Sequence, residues 1–320
     1  MNDILIKLGN IGIVPVVALD RAEDALKLGE ALMRGGIPCA EVTFRTDAAE
    51  ESIRILTNSL PEMITGAGTV LTTDQVDRAV AAGAKFIVSP GYNPRVVDYC
   101  VSRNIPVVPG CSTPSDIEMA LEAGLDVVKF FPAEAAGGLP MIKAMSAPYG
   151  GVKFMPTGGI NASNICNYLA FEKIIACGGS WMVDKKLVAA GNFEEIERLS
   201  REAVDTILGF ELAHVGLNIE DPDRAAADAD RLNRLFGFER KDGNSSIFAG
   251  KGLELTKVRF PGANGHVAVA TNSIERAMYH LEMRGAKFDP DSIKKDEKGR
   301  IKAVYLAEEF GGMAFHLVRK

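Results

Sequence analysis

The stretch 113–134, TPSDIEMALEAGLDVVKFFPAE, decides how the rest of the chain is read. TPSDIEMALEAG (113–124) has apolar residues at helical spacing, with a threonine to open the helix and a glycine to close it. DVVKFF (126–131) is a short apolar run of strand length, apolar on both faces. Lys129 stands in its middle. An unpaired ammonium in an apolar interior costs several kcal/mol or gives up its proton, so this lysine is either wrongly placed inside or placed there for its chemistry.

The same unit repeats along the first two-thirds of the chain. Apolar runs occur at 12–19 (GIVPVVAL), 39–44 (CAEVTF), 63–68 (MITGAG), 85–90 (KFIVSP), 105–110 (IPVVPG), 126–131, 152–159 (VKFMPTGG) and 173–179 (KIIACGG). Helical patterns such as 21–36 and 72–83 lie between them. Strands apolar on both faces and alternating with helices pair in parallel, and eight such units predict a closed (β/α)₈ TIM barrel. An open doubly wound sheet is the alternative.

After residue 208 the pattern changes. A strand at 213–220, a helix at 222–236 and short strands near 245–249 and 253–259 are followed by a second round: a strand at 265–271, a helix at 273–285, and strands near 301–306 and 313–318. This reads as an internal repeat, a smaller α+β domain of paired βαβββ modules. The expected division is a barrel over 1–208, a linker at 209–212 and a second domain over 213–320.

Composition narrows the function classes. A formal net charge of -6 argues against nucleic acid or an anionic membrane as the main partner. No apolar stretch is long enough to span a bilayer, and MNDILIKLGN lacks the order of a signal peptide, so a cytoplasmic location is expected. The five cysteines form no C-x-x-C pair and read as small buried thiols. All four histidines follow residue 210. Acid–base chemistry in the barrel therefore falls to carboxylates, lysine, tyrosine or water.

Barrels carry function at the C-terminal ends of their strands and stability at the N-terminal ends. Lys85, Lys153 and Lys173 stand at or near strand starts, whereas Lys129 lies in the later half of its strand. An amine held away from water carries its proton less readily, so Lys129 can attack a carbonyl and form an imine that draws electrons from the adjacent carbon. Glu41, a carboxylate inside an apolar strand, is the candidate base, and Arg45 is the candidate clamp for a substrate carboxylate. Thr69, Pro90 and Thr157 occupy other strand ends. Gly158, Gly159, Gly178, Gly179 and Ser180 follow strands seven and eight, where barrels commonly bind phosphate.

The motifs EVTFRT, GAGTV, FIVSPG, KFFPAE, PTGGI and GGSWM, in this order, resemble those of the bacterial 2-keto-3-deoxy-6-phosphogluconate / 2-keto-4-hydroxyglutarate aldolases. The resemblance covers residues 1 to about 208. It implies a metal-free class I aldolase that splits a 2-keto-3-deoxy-4-hydroxy acid into pyruvate and an aldehyde, as in the Entner–Doudoroff pathway. It further implies that Lys129 forms the Schiff base and Glu41 shuttles protons. Arg45, Thr69 and Thr157 would hold the pyruvyl portion, with Phe131 as a wall and Pro90 beside the substrate; Gly158, Gly159, Gly179 and Ser180 would receive phosphate. A homotrimer or higher homo-oligomer is also implied. A barrel that only senses phosphorylated metabolites is the competing reading.

The βαβββ repeat resembles the vicinal oxygen chelate superfamily, which includes glyoxalase I. By that resemblance His214, Glu254, His266 and His316 would ligate a divalent metal such as Zn, Ni, Mn or Fe, with His316 standing where relatives usually have a carboxylate. The alternative is a non-catalytic assembly or regulatory module.

Overall fold

The computed structural model describes residues 1–320, which divide into two compact units, Met1–Ile207 and Leu208–Lys320. In the first unit the apolar runs become β1 (Ile13–Val17), β2 (Cys39–Thr43), β3 (Ile64–Gly68), β4 (Ile87–Val88), β5 (Val107–Val108), β6 (Val127–Phe130), β7 (Lys153–Pro156) and β8 (Cys177–Gly179). All their pairings are parallel. A six-stranded ladder runs β5-β4-β3-β2-β1-β8, and β6 pairs with β7. Single bridges join the two ladders: Gly110 to Lys129 on one side, Phe154 to Ile174 and Thr157 to Gly178 on the other. Pairing thus follows the chain order around all eight strands, without the reversal that an open doubly wound sheet requires.

Several strands are shorter than expected, and proline explains two of them. β4 and β5 have two residues each because Pro90, Pro106 and Pro109 interrupt their runs and lack the N–H that a ladder needs. The run 152–159 yields a strand only to Pro156. Gly158 and Gly159, with φ of 99° and 82°, turn the chain out of the strand into the loop that follows it. The helix over 113–124 forms at Pro114–Glu122, with Thr113 and Asp116 capping it reciprocally and Gly124 in the left-handed region beyond its end. Among the barrel lysines, Lys173 Nζ donates to the carbonyls of Ser146 (2.5 Å) and Tyr149 (2.8 Å), a structural anchor.

The second unit contains β9 (Glu211–Asn218), a helix (Pro222–Phe236), β10 (Arg240–Asp242), β11 (Ser246–Ala249) and β12 (Leu253–Thr256). The order then recurs as β13 (Gly265–Thr271), a helix (Ile274–Met283), β14 (Lys294–Lys295), β15 (Ile301–Phe310) and β16 (Met313–Arg319). All eight strands form one sheet ordered β10-β11-β12-β9-β13-β16-β15-β14. Each half places its first strand parallel to its last, and the halves meet along the antiparallel β9–β13 pair. Ala225 and Ala229 of the first helix pack on Ile247 and Leu255. β9 starts at Glu211, inside the stretch expected to be a linker. Leu208 belongs with this unit, its carbonyl accepting bonds from Thr271 Oγ1 (2.6 Å) and the Asn272 N–H (3.0 Å). No helix is long and apolar enough to cross a membrane.

Candidate functional site

Parallel register brings Lys129 and Glu41 together from opposite parts of the sequence. The β6 backbone is pinned on both sides of Lys129, whose N–H donates to Pro109 and whose carbonyl accepts from Cys111, both at 2.8 Å. The lysine is 5% exposed and Glu41 is 0% exposed. Lys129 Nζ donates to Glu41 Oε1 at 3.1 Å, and Glu41 Oε2 has no hydrogen-bond partner. The two candidates expected from the sequence are thus in direct contact, the amine against the carboxylate. Its Nζ also lies 5.4 Å from the centre of the Phe131 ring.

Glycine makes the room. A Cβ on Gly68, the last residue of β3, would come within 2.2 Å of Glu41 Oε1. The next residue, Thr69, has φ 54°, costly for a β-branched side chain, and its Oγ1 accepts from Arg45 Nε at 3.4 Å.

A cavity of about 500 Å³ opens beside Thr43 of β2 and Phe131 just after β6; Lys129, Glu41 and Thr69 are not among its lining residues. Arg45, Phe131, Thr157, Gly158, Gly159, Gly179 and Ser180 all line it. Thr157 Oγ1 is buried with no hydrogen-bond partner. Pro90 is not among the lining residues; its carbonyl instead packs against Gly110, where a Cβ would approach to 2.0 Å. Lys185 and Lys186 also line the cavity; the sequence carries a signal for them, a charged pair three residues beyond GGSWM, that was not used.

The profile of the family described as "Aldolase: KDPG and KHG aldolase" matches residues 4–199. The chain belongs to this family. It is 51% identical over 206 residues to a 2-dehydro-3-deoxy-phosphogluconate aldolase of Haemophilus influenzae, a match covering 64% of this chain and 97% of that protein. It is 40% identical over 193 residues to the KHG/KDPG aldolase of Escherichia coli, covering 60% and 91%. Among solved structures, the KDPG aldolase of Legionella pneumophila with pyruvate captured as a covalent carbinolamine superposes with a TM-score of 0.61 at 40% identity, covering 62% of this chain and 97% of that one. The chain is a lyase of the aldolase type, and a purely sensing barrel is not favoured. The family match ends at residue 199 and does not reach the second unit.

That unit holds a polar cluster of its own. Glu254 Oε2 lies 3.0 Å from His214 Nε2 and 2.9 Å from His266 Nε2, and the two imidazole nitrogens are 3.3 Å apart. Ser246 Oγ donates to Glu254 Oε1 at 2.5 Å. Burial opposes ionisation of Glu254, but hydrogen bonds from His214, His266 and Ser246 outweigh it and hold the carboxyl well below the usual carboxylate range. His316 completes the group: ligand nitrogens of His214, His266 and His316 lie within 4.8 Å of one another. Burial, with the neighbouring His266 and His214, lowers the His316 pKa to about 3, so its ring is neutral at physiological pH.

Proposed function

We propose that the first unit cleaves 2-keto-3-deoxy-6-phosphogluconate to pyruvate and glyceraldehyde 3-phosphate, and 4-hydroxy-2-oxoglutarate to pyruvate and glyoxylate, through a Schiff base on Lys129. The observation that carries this reading is the buried 3.1 Å contact between Lys129 and Glu41. With one oxygen on the amine and the other unpartnered, Glu41 can accept a proton at either end and return it. Lys129 Nζ attacks the C2 carbonyl, and loss of water leaves an iminium. Glu41 takes the proton of the C4 hydroxyl, the C3–C4 bond breaks, and its electron pair enters the iminium to give an enamine and an aldehyde. Proton return to C3 and hydrolysis then free pyruvate and the lysine.

Arg45, tied to Thr69, and the unpartnered hydroxyl of Thr157 are suited to the substrate carboxylate and keto oxygen, while Phe131 walls the amine. Gly158, Gly159, Gly179 and Ser180 would accept the phosphate through backbone and hydroxyl donors. Borohydride with pyruvate should leave a stable adduct on Lys129, and Lys129→Ala should lose both adduct and turnover. An adduct mapped to another lysine would overturn the mechanism. Light scattering should find the homotrimer or higher assembly that the resemblance implies.

For the second unit the reading is a divalent metal centre held by His214, Glu254, His266 and His316 in a glyoxalase-like fold. Donors that share one ion at about 2.0–2.1 Å lie roughly 3.0–3.4 Å apart, and the Glu254, His214 and His266 separations fall near that range. Hydrogen bonds to Glu254 account for those three residues without an ion, but not for His316, whose two buried nitrogens have no partner, nor for His266 Nδ1. Three imidazoles and one carboxylate suit Zn²⁺, Ni²⁺, Mn²⁺ or Fe²⁺. Such an ion would supply a Lewis acid for oxygen ligands. Chelation should lower the melting temperature of this unit and leave aldol cleavage intact. Loss of aldolase activity on chelation would contradict the Schiff-base reading.

A further inference from the structure

The donors of the second unit occupy two neighbouring rows of the sheet. Cross-strand pairing sets Glu254, Gly216, His266 and Ala314 in one row and His214, Ala268, His316 and Tyr305 in the next. Donors alternate with glycine or alanine, so the rings have room to lean over the small residues. Tyr305 ends the second row. A metal-bound histidine ordinarily has its other ring nitrogen held by a carboxylate, carbonyl or water, which fixes the ring plane. His316 has no such bond, since neither Nδ1 nor Nε2 has a partner.

The plane of His316 is instead set by packing. The Tyr305 ring stacks on it, with centroids 4.6 Å apart and planes within 11°. His214 and His266 meet the same imidazole edge-on at 5.6 Å and 5.1 Å. Tyr305 is itself well fixed. Its N–H donates to Ser292 Oγ at 2.9 Å, its carbonyl accepts from Asp289 N at 3.0 Å, and the β15–β16 register shifts just after it.

We infer that Tyr305 is a positioning residue that aims the His316 imidazole at the point shared by His214, Glu254 and His266, by ring stacking in place of the hydrogen bond such ligands usually have. The inference rests on the metal reading of this cluster. Full-length protein titrated with Co²⁺, followed by the visible absorption of the bound ion, gives both affinity and ligand field. Tyr305→Phe keeps the ring and should leave affinity and spectrum within about threefold and unshifted.

Tyr305→Leu and Tyr305→Met remove the ring at similar apolar volume, so a folding failure of one leaves the other, and circular dichroism checks both. Each should weaken Co²⁺ binding about 10–100-fold, the usual effect of losing an outer-shell partner, and change the spectrum as His316→Ala does. Wild-type binding with unaltered affinity and spectrum in the leucine and methionine variants overturns the role of Tyr305 alone. Loss in Tyr305→Phe as well assigns the effect to the hydroxyl and overturns the stacking argument. Wild-type protein that takes up no Co²⁺ overturns the metal reading itself.

Discussion

Lys129–Glu41 in the first unit and Glu254 with its imidazoles in the second are two solutions to keeping a carboxylate inside a protein. Glu41 has one oxygen on an amine and one left open. Glu254 has both oxygens taken, one by Ser246 and one by two imidazoles. The open oxygen suits a residue that must accept and return protons, whereas the closed one suits a residue that must stay ionised and still. Each site also depends on a glycine: Gly68 leaves space for Glu41, and Gly216 leaves space for His266, whose Cε1 would be 2.0 Å from a Cβ there. In the proposed readings, the same arrangement of side chain over glycine would serve proton transfer in one place and convergence of donors in the other.

The largest effect that would sharpen this contrast is expected at Glu41. Glu41→Gln retains size but cannot carry the proton, so turnover should fall by roughly 10²–10⁴ while borohydride still traps pyruvate on Lys129. Unchanged turnover would assign proton transfer to another group and break the comparison at its first term. Gly216→Ala is the next step down. Gly216 is not among the glycines with positive φ, so the added methyl acts through space and not through backbone strain. Divalent metal affinity should drop about 10–100-fold, as when the support of a ligand is lost, with aldol cleavage unaltered. Gly68→Ala should do the reverse. If either substitution impaired both readouts, the two sites could not be treated as separate.

Much of the first unit's geometry was legible because it is written as local pattern. Lys129 interrupts an apolar run, Glu41 does the same in another, and the glycines follow strand ends; parallel register then brings them to one rim. Less visible were features that depend on what a residue cannot do. The ladders at β4 and β5 shrink where prolines remove N–H groups, and the chain leaves β7 early because Gly158 and Gly159 turn it. β10 and β14 escaped notice because Arg240–Asp242 and Lys294–Lys295 are polar and show no alternation. The convergence of His214, Glu254, His266 and His316 was suggested by resemblance, while the role of Tyr305 required the stacking geometry that only a three-dimensional structure contains.

The smallest expected effect tests where the phosphate lies. Ser180 lines the cavity beside Gly179, and in the proposed reading its hydroxyl is one of several donors to the phosphate of the larger substrate. A hydrogen bond to a charged group contributes about 1.5–3 kcal/mol when shielded. Ser180 is exposed, so the lower end of that range applies, or roughly a tenfold change. Ser180→Ala should therefore raise KM for 2-keto-3-deoxy-6-phosphogluconate about tenfold with kcat little changed, because the lost contact is the same in ground and transition states. The unphosphorylated 4-hydroxy-2-oxoglutarate should be cleaved as before. Steady-state kinetics with both substrates reads the difference directly, and an equal loss for the two would place the phosphate away from Ser180, leaving Lys185 and Lys186 as the next groups to change.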